Sequence, residues 1–156
     1  MILYFRDEYE FLSNYYDPCP VTYNGLTYRN SEAAYQAQKS DSAIIRFLFT
    51  DMSPDEAKRL GKSTDIIADW DSKKAGIMRE IVHAKFEQHP ELVTRLMMIE
   101  DEILVEGNNW HDNYFGDCRC PKCKEIPGRN WLGRILMEER EFWQRQTESY
   151  TEEKGD

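Results

Sequence analysis

No run of apolar residues in this sequence approaches the roughly 20 that a membrane-spanning helix requires, so a helical membrane protein is not expected. Nor does the start resemble a signal peptide, because Met1-Ile2-Leu3-Tyr4-Phe5 meets Arg6, Asp7 and Glu8 at once, and a cytoplasmic location is the expectation. Positive charge is scarce as well: 20 Lys and Arg face 29 Asp and Glu, a formal net charge of -9. Extended binding to nucleic acid or to an anionic membrane needs a basic face that displaces counterions, and this balance argues against both. A small anionic ligand remains compatible, since a few local Lys and Arg can outweigh the global field. Internal repeats and low-complexity tracts are absent. The four cysteines, in that compartment, read as thiols or metal ligands in preference to disulfides.

What is present is enough for a core. A length of 156 residues is that of one ordinary domain, and 40% hydrophobic with 13% aromatic residues excludes intrinsic disorder. Asn24-Gly25, flanked by Val21, Thr22, Thr27 and Tyr28, predicts a tight hairpin. Asn30 or Ser31 then caps a helix running to about Lys39. Ser53-Pro54-Asp55-Glu56 is a capping box with proline in the first turn, and Gly61 is read as the stop. Met78, Val82 and Phe86, with Ile77 and Ile81, mark a central buried helix from about Asp71 to Gln88. Pro90 opens another helix, and Ile103-Leu104-Val105 reads as a short buried strand. Gly107 to Arg129 shows no period and is read as one long ordered loop, of a length that is usually functional. Asn130 caps the last helix, and beyond Gln144 the chain is polar, acidic and expected to fray. The fold class is therefore mainly α with a few short β-strands, α+β. A single compact domain over residues 1–144 is expected, followed by a tail over 145–156.

Several groups could carry chemistry. Glu32, Gln36 and Lys39 fall at i, i+4 and i+7 on one helix face: a carboxylate for proton transfer, an amide, and an amine able to hold a phosphate or attack a sugar aldehyde carbon. The plain alternative is a solvated polar face. Glu106 ends the apolar run at Val105, either as a carboxylate of raised pKa at a strand mouth or as an ordinary strand-end charge. Asp112, Tyr114 and Phe115 follow in the loop and add a second carboxylate with aromatic surface; paired carboxylates are the usual equipment of glycoside cleavage. Trp70 is either a platform for a base or core. Cys118, Cys120 and Cys123 offer three soft ligands for a structural zinc that His111 or Cys19 could complete, although unligated thiols are the reading the spacing favours. Zinc deaminase chemistry is not supported, because none of His83, His89 and His111 is followed two residues later by Glu.

Taken in order, these segments resemble the YbiA-like family, also called NADAR. The resemblance is carried by Phe11-Leu12-Ser13-Asn14-Tyr15, Ser31-Glu32, Gln36-Ala37-Gln38-Lys39, Arg59-Leu60-Gly61, and Trp70 with Lys74 and Met78. It continues through Ala84-Lys85-Phe86-Glu87-Gln88-His89, Leu104-Val105-Glu106, Asp112 with Tyr114, Gly116-Asp117 and Gly128 to Gly133. It implies an N-glycosidase that hydrolyses the C–N bond between a ribose, phosphorylated or part of ADP-ribose, and a base. Ribosylamine-type intermediates of riboflavin biosynthesis are the first substrate class. Removal of ADP-ribose from guanine, and a non-catalytic module that binds ADP-ribose or a nucleotide, are the alternatives. No cofactor is required beyond an optional structural zinc. By resemblance the catalytic residues are Glu106, Asp112, Glu32 and Lys39, while Asn14, Gln36, Trp70, Lys85, Tyr114, Phe115 and Asn130 bind substrate. The chain departs from the family pattern at Ala33 and Ala34, where bulkier residues are usual, at Phe115 in place of tryptophan, and in its longer cysteine loop.

Overall fold

Asn24 and Gly25 take φ values of 49° and 84°, the left-handed conformations that a type I′ turn demands at both central positions. They join β1 (Val21–Tyr23) to β2 (Leu26–Tyr28), antiparallel with Val21 opposite Tyr28. A computed structural model describes residues 1–155, and divides the chain into two compact units.

The unit Glu10–Gln88 contains this hairpin and four helices. α1 (Ser31–Ala37) starts where Asn30 Oδ1 accepts the Ala33 amide at 2.8 Å, and all seven of its residues are buried. Ala33, Ala34 and Ala37 make that possible: small side chains let α3 and α4 close on the helix, and its polar residues are carried inside with it. α2 (Ala43–Leu48), which the sequence reading missed, buries none of its residues. In α3 (Pro54–Ser63) the capping box forms in both directions, Ser53 Oγ accepting from Glu56 and Glu56 Oε1 from Ser53. Gly61 does not end this helix as expected. It lies inside α3, which runs on to Ser63, and its missing side chain is used for close packing. α4 (Trp70–Gln88) buries Met78, Ile81, Val82 and Phe86, the predicted stripe.

The other unit comprises Met1–Tyr9 and the chain from His89 onward. α5 (Pro90–Met98) packs on α6 (Trp131–Lys154). Ile103-Leu104-Val105 is not the expected strand: Leu104 forms one isolated parallel bridge with Ile2, and Ile103 is half exposed. The expected loop contains a two-residue parallel ladder, β3 (Gly107–Asn108) beside β4 (Asp117–Cys118), in register Gly107–Asp117. Asn130 stands at the start of α6 but in the left-handed region, φ 52°, with no side-chain capping bond. The polar segment after Gln144 continues as helix to Lys154, solvent-exposed, where fraying was expected. Mainly helical architecture with a few short strands matches the expected fold class. Among the described residues no helix is long and apolar enough to cross a membrane.

Candidate active site

The predicted polar face of α1 is not a solvated one. Glu32 is 8% exposed and Gln36 5%, and the Gln36 amide donates from Nε2 to Glu32 Oε1 at 2.8 Å. Gln36 is fixed from behind, because its Oε1 occupies the space a Cβ at Gly61 would need. The amide therefore presents its nitrogen to the carboxylate, an arrangement that favours ionised Glu32. The Glu32 backbone is fixed too, its N–H donating to Asn14 O at 3.1 Å.

Lys39 follows the last turn of α1, its N–H donating to Gln36 O and its carbonyl accepting from Ile67. The side chain is half-buried. Burial pushes its ammonium below the ordinary lysine range; Glu32 opposes the shift, and the charges of Lys74, Lys58 and Lys62 add to it. Lys74 is anchored on Asp71 at 3.2 Å, and Lys58 lies 6.0 Å from the Tyr15 ring centre. Burial, with the charges of Glu32 and Asp55, raises the Tyr15 phenol, which stays neutral and able to donate. An acidic protein thus holds Lys58, Lys62, Lys74 and the buried Glu32 close enough to Lys39 to act on its charge. That chemistry suits a phosphorylated or otherwise anionic ligand.

Trp70, the first residue of α4, is 6% exposed and stacks at a tilt on Tyr35, ring centres 5.2 Å apart. Lys85 is more deeply buried, and its ammonium donates to Phe11 O at 2.6 Å and Ser13 O at 3.0 Å. It is a tether for the segment that carries Asn14 and Tyr15. Asn14 packs its amide on Met78 Sδ at 3.3 Å.

In the other unit, Glu106 is half-buried, and its backbone is held at both ends: its N–H donates to Asn130 Oδ1 at 2.9 Å and its carbonyl accepts from Asp117. Asn130 also donates to Leu104 O at 2.9 Å, so its side chain fixes the 104–106 segment instead of capping α6. Asp112 Oδ1 accepts the amides of Tyr114 and Phe115, both at 3.0 Å, which orients the carboxylate. Tyr114 and Phe115 meet edge to face, with Arg129 over the tyrosine. Cys118, Cys120 and Cys123 converge with His111. A surface hollow of about 590 Å³ lined by Met1, Tyr9 and Met98 to Ile103 holds none of the candidate residues and is edged by Glu100, Asp101 and Glu102. It carries no chemistry of this kind.

Sequence reasoning missed Tyr15, Tyr35, Gly61, Lys58 and Lys62 as participants. Tyr15 and Gly61 stand in segments that carry the family resemblance, and Lys58 and Lys62 left a trace in the i, i+4 spacing that puts two ammonium groups on one face of α3.

The chain has relatives of known family and fold. The NADAR domain family matches residues 3–143, and the chain belongs to that family. It is 37% identical over 138 residues to N-glycosidase YbiA of Escherichia coli, a match that covers 86% of this chain and 82% of that protein. An N-glycosidase of Nostoc punctiforme is 40% identical over 116 residues, 70% of each chain. A riboflavin biosynthesis protein of Vibrio vulnificus is 34% identical over 86% of this chain but only 36% of its own length. The NMR structure of Escherichia coli YbiA shares the fold with a TM-score of 0.76 and 35% identity, covering 90% of this chain and 82% of that one.

Proposed function

We propose that the chain, an N-glycosidase by its family and relatives, hydrolyses the C1–N bond of a phosphorylated ribosylamine, an intermediate type of riboflavin biosynthesis. The observation that carries this reading is Lys39, a half-buried amine whose proton is loosened by burial and by three neighbouring lysines, one helix turn from the buried Glu32–Gln36 pair. A solvated lysine is fully protonated and inert at neutral pH; a desolvated one reaches the neutral form more readily and can attack an electrophilic carbon.

In this reading the ring-opened sugar presents C1 to Lys39 Nζ. The amine adds to C1 and gives up a proton to ionised Glu32 or water, the C1–N bond to the base breaks, and the departing nitrogen takes its electron pair together with that proton. Water then adds to C1 of the resulting imine and expels Lys39, which leaves the free sugar phosphate and the free base. Lys58, Lys62 and Lys74 supply the field that holds the phosphate. Lys85 keeps the Asn14–Tyr15 segment in place.

The acidic balance of the chain supports a small substrate over a polymeric one. ADP-ribose on guanine remains the alternative substrate class, because the same lysines suit a pyrophosphate. Mass spectrometry of products from ribosylamine pyrimidine phosphates, ADP-ribosyl guanosine and NAD decides between them. Release of a free pyrimidine at the highest kcat/KM supports the proposal, release of ADP-ribose and intact guanosine in preference replaces it with the alternative, and binding with no product from any compound overturns the enzyme reading.

A further inference from the structure

We propose that His111, Cys118, Cys120 and Cys123 form a structural zinc site that fixes the loop between β3 and α6. The four ligand atoms all lie within 4.8 Å of one another, and His111 Nδ1 stands 3.3 Å from Cys123 Sγ, 3.4 Å from Cys120 Sγ and 3.9 Å from Cys118 Sγ. With zinc–sulfur and zinc–nitrogen bonds of about 2.3 and 2.05 Å, a regular tetrahedron has nitrogen–sulfur edges of about 3.6 Å and sulfur–sulfur edges of about 3.8 Å. The three observed nitrogen–sulfur separations bracket the nitrogen–sulfur edge. Hydrogen bonds among neutral thiols and an imidazole are weak and do not require four soft groups to converge on one point. A multinuclear iron–sulfur cluster is excluded by the same distances, since its ligands sit on separate iron atoms and stand farther apart.

The backbone is held in place by residues other than the four ligands. His111 adopts φ 68°, a left-handed conformation that costs a non-glycine residue energy unless its surroundings impose it. Here Asn108 imposes it: its Oδ1 accepts the amides of Trp110 at 3.2 Å and Asp112 at 3.1 Å, one on each side of His111. Asn113 Oδ1 likewise holds the Cys118 amide at 2.8 Å. From Cys120 to Cys123 the chain makes a tight knuckle, with the amides of Cys123 and Lys124 on Cys120 O.

Binding would displace the protons of three thiols and leave a site of charge -1, three thiolates and a neutral imidazole around one zinc. All four positions are protein ligands, so none is open for water and the metal cannot activate a nucleophile. Its effect is mechanical. It ties the segment bearing Asp112, Tyr114 and Phe115 to the knuckle. Cys19, the other residue weighed as fourth ligand, belongs to the unit Glu10–Gln88, and the cluster is complete without it.

The test is elemental analysis of tag-free protein purified without chelator, with cobalt substitution and hydrogen exchange as further readouts. About one zinc per chain is expected in the wild type and almost none in Cys120→Ser/Cys123→Ser. Cobalt should give the visible bands of tetrahedral coordination with thiolate-to-metal charge transfer, and His111→Gln should shift those bands and lose zinc at a lower concentration of competing chelator. Stripping zinc from the wild type should raise hydrogen exchange between residues 107 and 129 while leaving α1 and α4 protected. Substoichiometric metal, iron in place of zinc, or native thiols of Cys118 and Cys120 that react freely with a disulfide reagent would overturn the proposal. Each readout is independent of glycosidase turnover, so its failure is distinct from failure of the proposed reaction.

Discussion

The amide oxygen of Gln36 on α1 fills the space that a side chain at Gly61 on α3 would need, so these two residues set how closely the helices approach. Alanine in a helix interior ordinarily gains about 0.5–1 kcal/mol over glycine. At position 61 the sign should reverse, because a Cβ would overlap Gln36 Oε1 and stand 2.8 Å from its Cδ. Gly61→Ala is expected to lower the Tm and, by turning the Gln36 amide away from Glu32, to reduce kcat about tenfold. Adding Gln36→Ala to Gly61→Ala should restore stability but not turnover. A double variant with full activity would show that the amide does not matter to the reaction.

Gly76 gives the contrasting case. It is exposed on α4, and a Cβ there meets nothing within 4 Å. Gly76→Ala should therefore show the ordinary gain of about 0.5–1 kcal/mol, a Tm rise of about 1–4 °C for a domain of this size, with turnover unchanged. A fall in Tm, measured calorimetrically, would mean the helix surface there is engaged after all.

These two glycines also show where sequence reading stops. Helix starts were legible because capping is local: Asn30 and the Ser53 to Glu56 box signal their own amides within three residues. The stripe of α4 was legible because its period is internal to the helix. Gly61, by contrast, was read as a stop although its function is contact with Gln36, a residue on another helix, which no local pattern encodes. Asn130 failed similarly: it sits where a cap belongs, yet its side chain bonds to the 104–106 segment. Spacing left the polar face of α1 open between a solvated surface and a site, and burial decided it, because three alanines let neighbouring helices cover Glu32 and Gln36. Three of the four cysteine-cluster residues were visible as a knuckle with one extra thiol. His111 was weighed with Cys19 as the fourth, and a left-handed turn that its sequence neighbours do not announce is what brings it to the other three.

Glu106 and Asp112 separate chemical from structural loss by choice of substitution. The family resemblance places Glu106 and Asp112 among the catalytic residues, and on that reading Glu106→Gln and Asp112→Asn are each expected to lower turnover by about two orders of magnitude. Neither should change the Tm much, because an asparagine side chain in place of Asp112 keeps an Oδ1 acceptor for the amides of Tyr114 and Phe115. Asp112→Ala leaves those amides without their acceptor and should cost a further 1–3 kcal/mol or so in stability. Wild-type kcat in both isosteric variants would assign the two carboxylates to structure alone.

Lys39 offers the sharpest test, because its neighbours shift it in opposite directions. An amine nucleophile must lose its proton, so kcat/KM should rise with pH through the Lys39 pKa, below the ordinary 10.5, as burial and the neighbouring ammonium groups dictate. Lys74→Met removes a repelling charge, raises that pKa and should move the acidic limb to higher pH. Glu32→Gln removes the attracting charge and should move the limb to lower pH, whatever it does to the plateau. Stability follows the same linkage. The unfolded chain binds this proton more tightly than the folded one, so the penalty of a charged Lys39 is full below its folded pKa. It is relieved as pH rises from that value towards 10.5, where stability should increase. Lys39→Arg, which keeps the charge but cannot form an imine, should lose turnover by about two orders of magnitude or more while still binding a sugar phosphate. Borohydride added during turnover should reduce the imine and leave a sugar adduct that peptide mapping locates at Lys39. An active Lys39→Arg enzyme, or pH profiles that coincide for wild type, Lys74→Met and Glu32→Gln, would rule out the amine as nucleophile and leave direct attack by water.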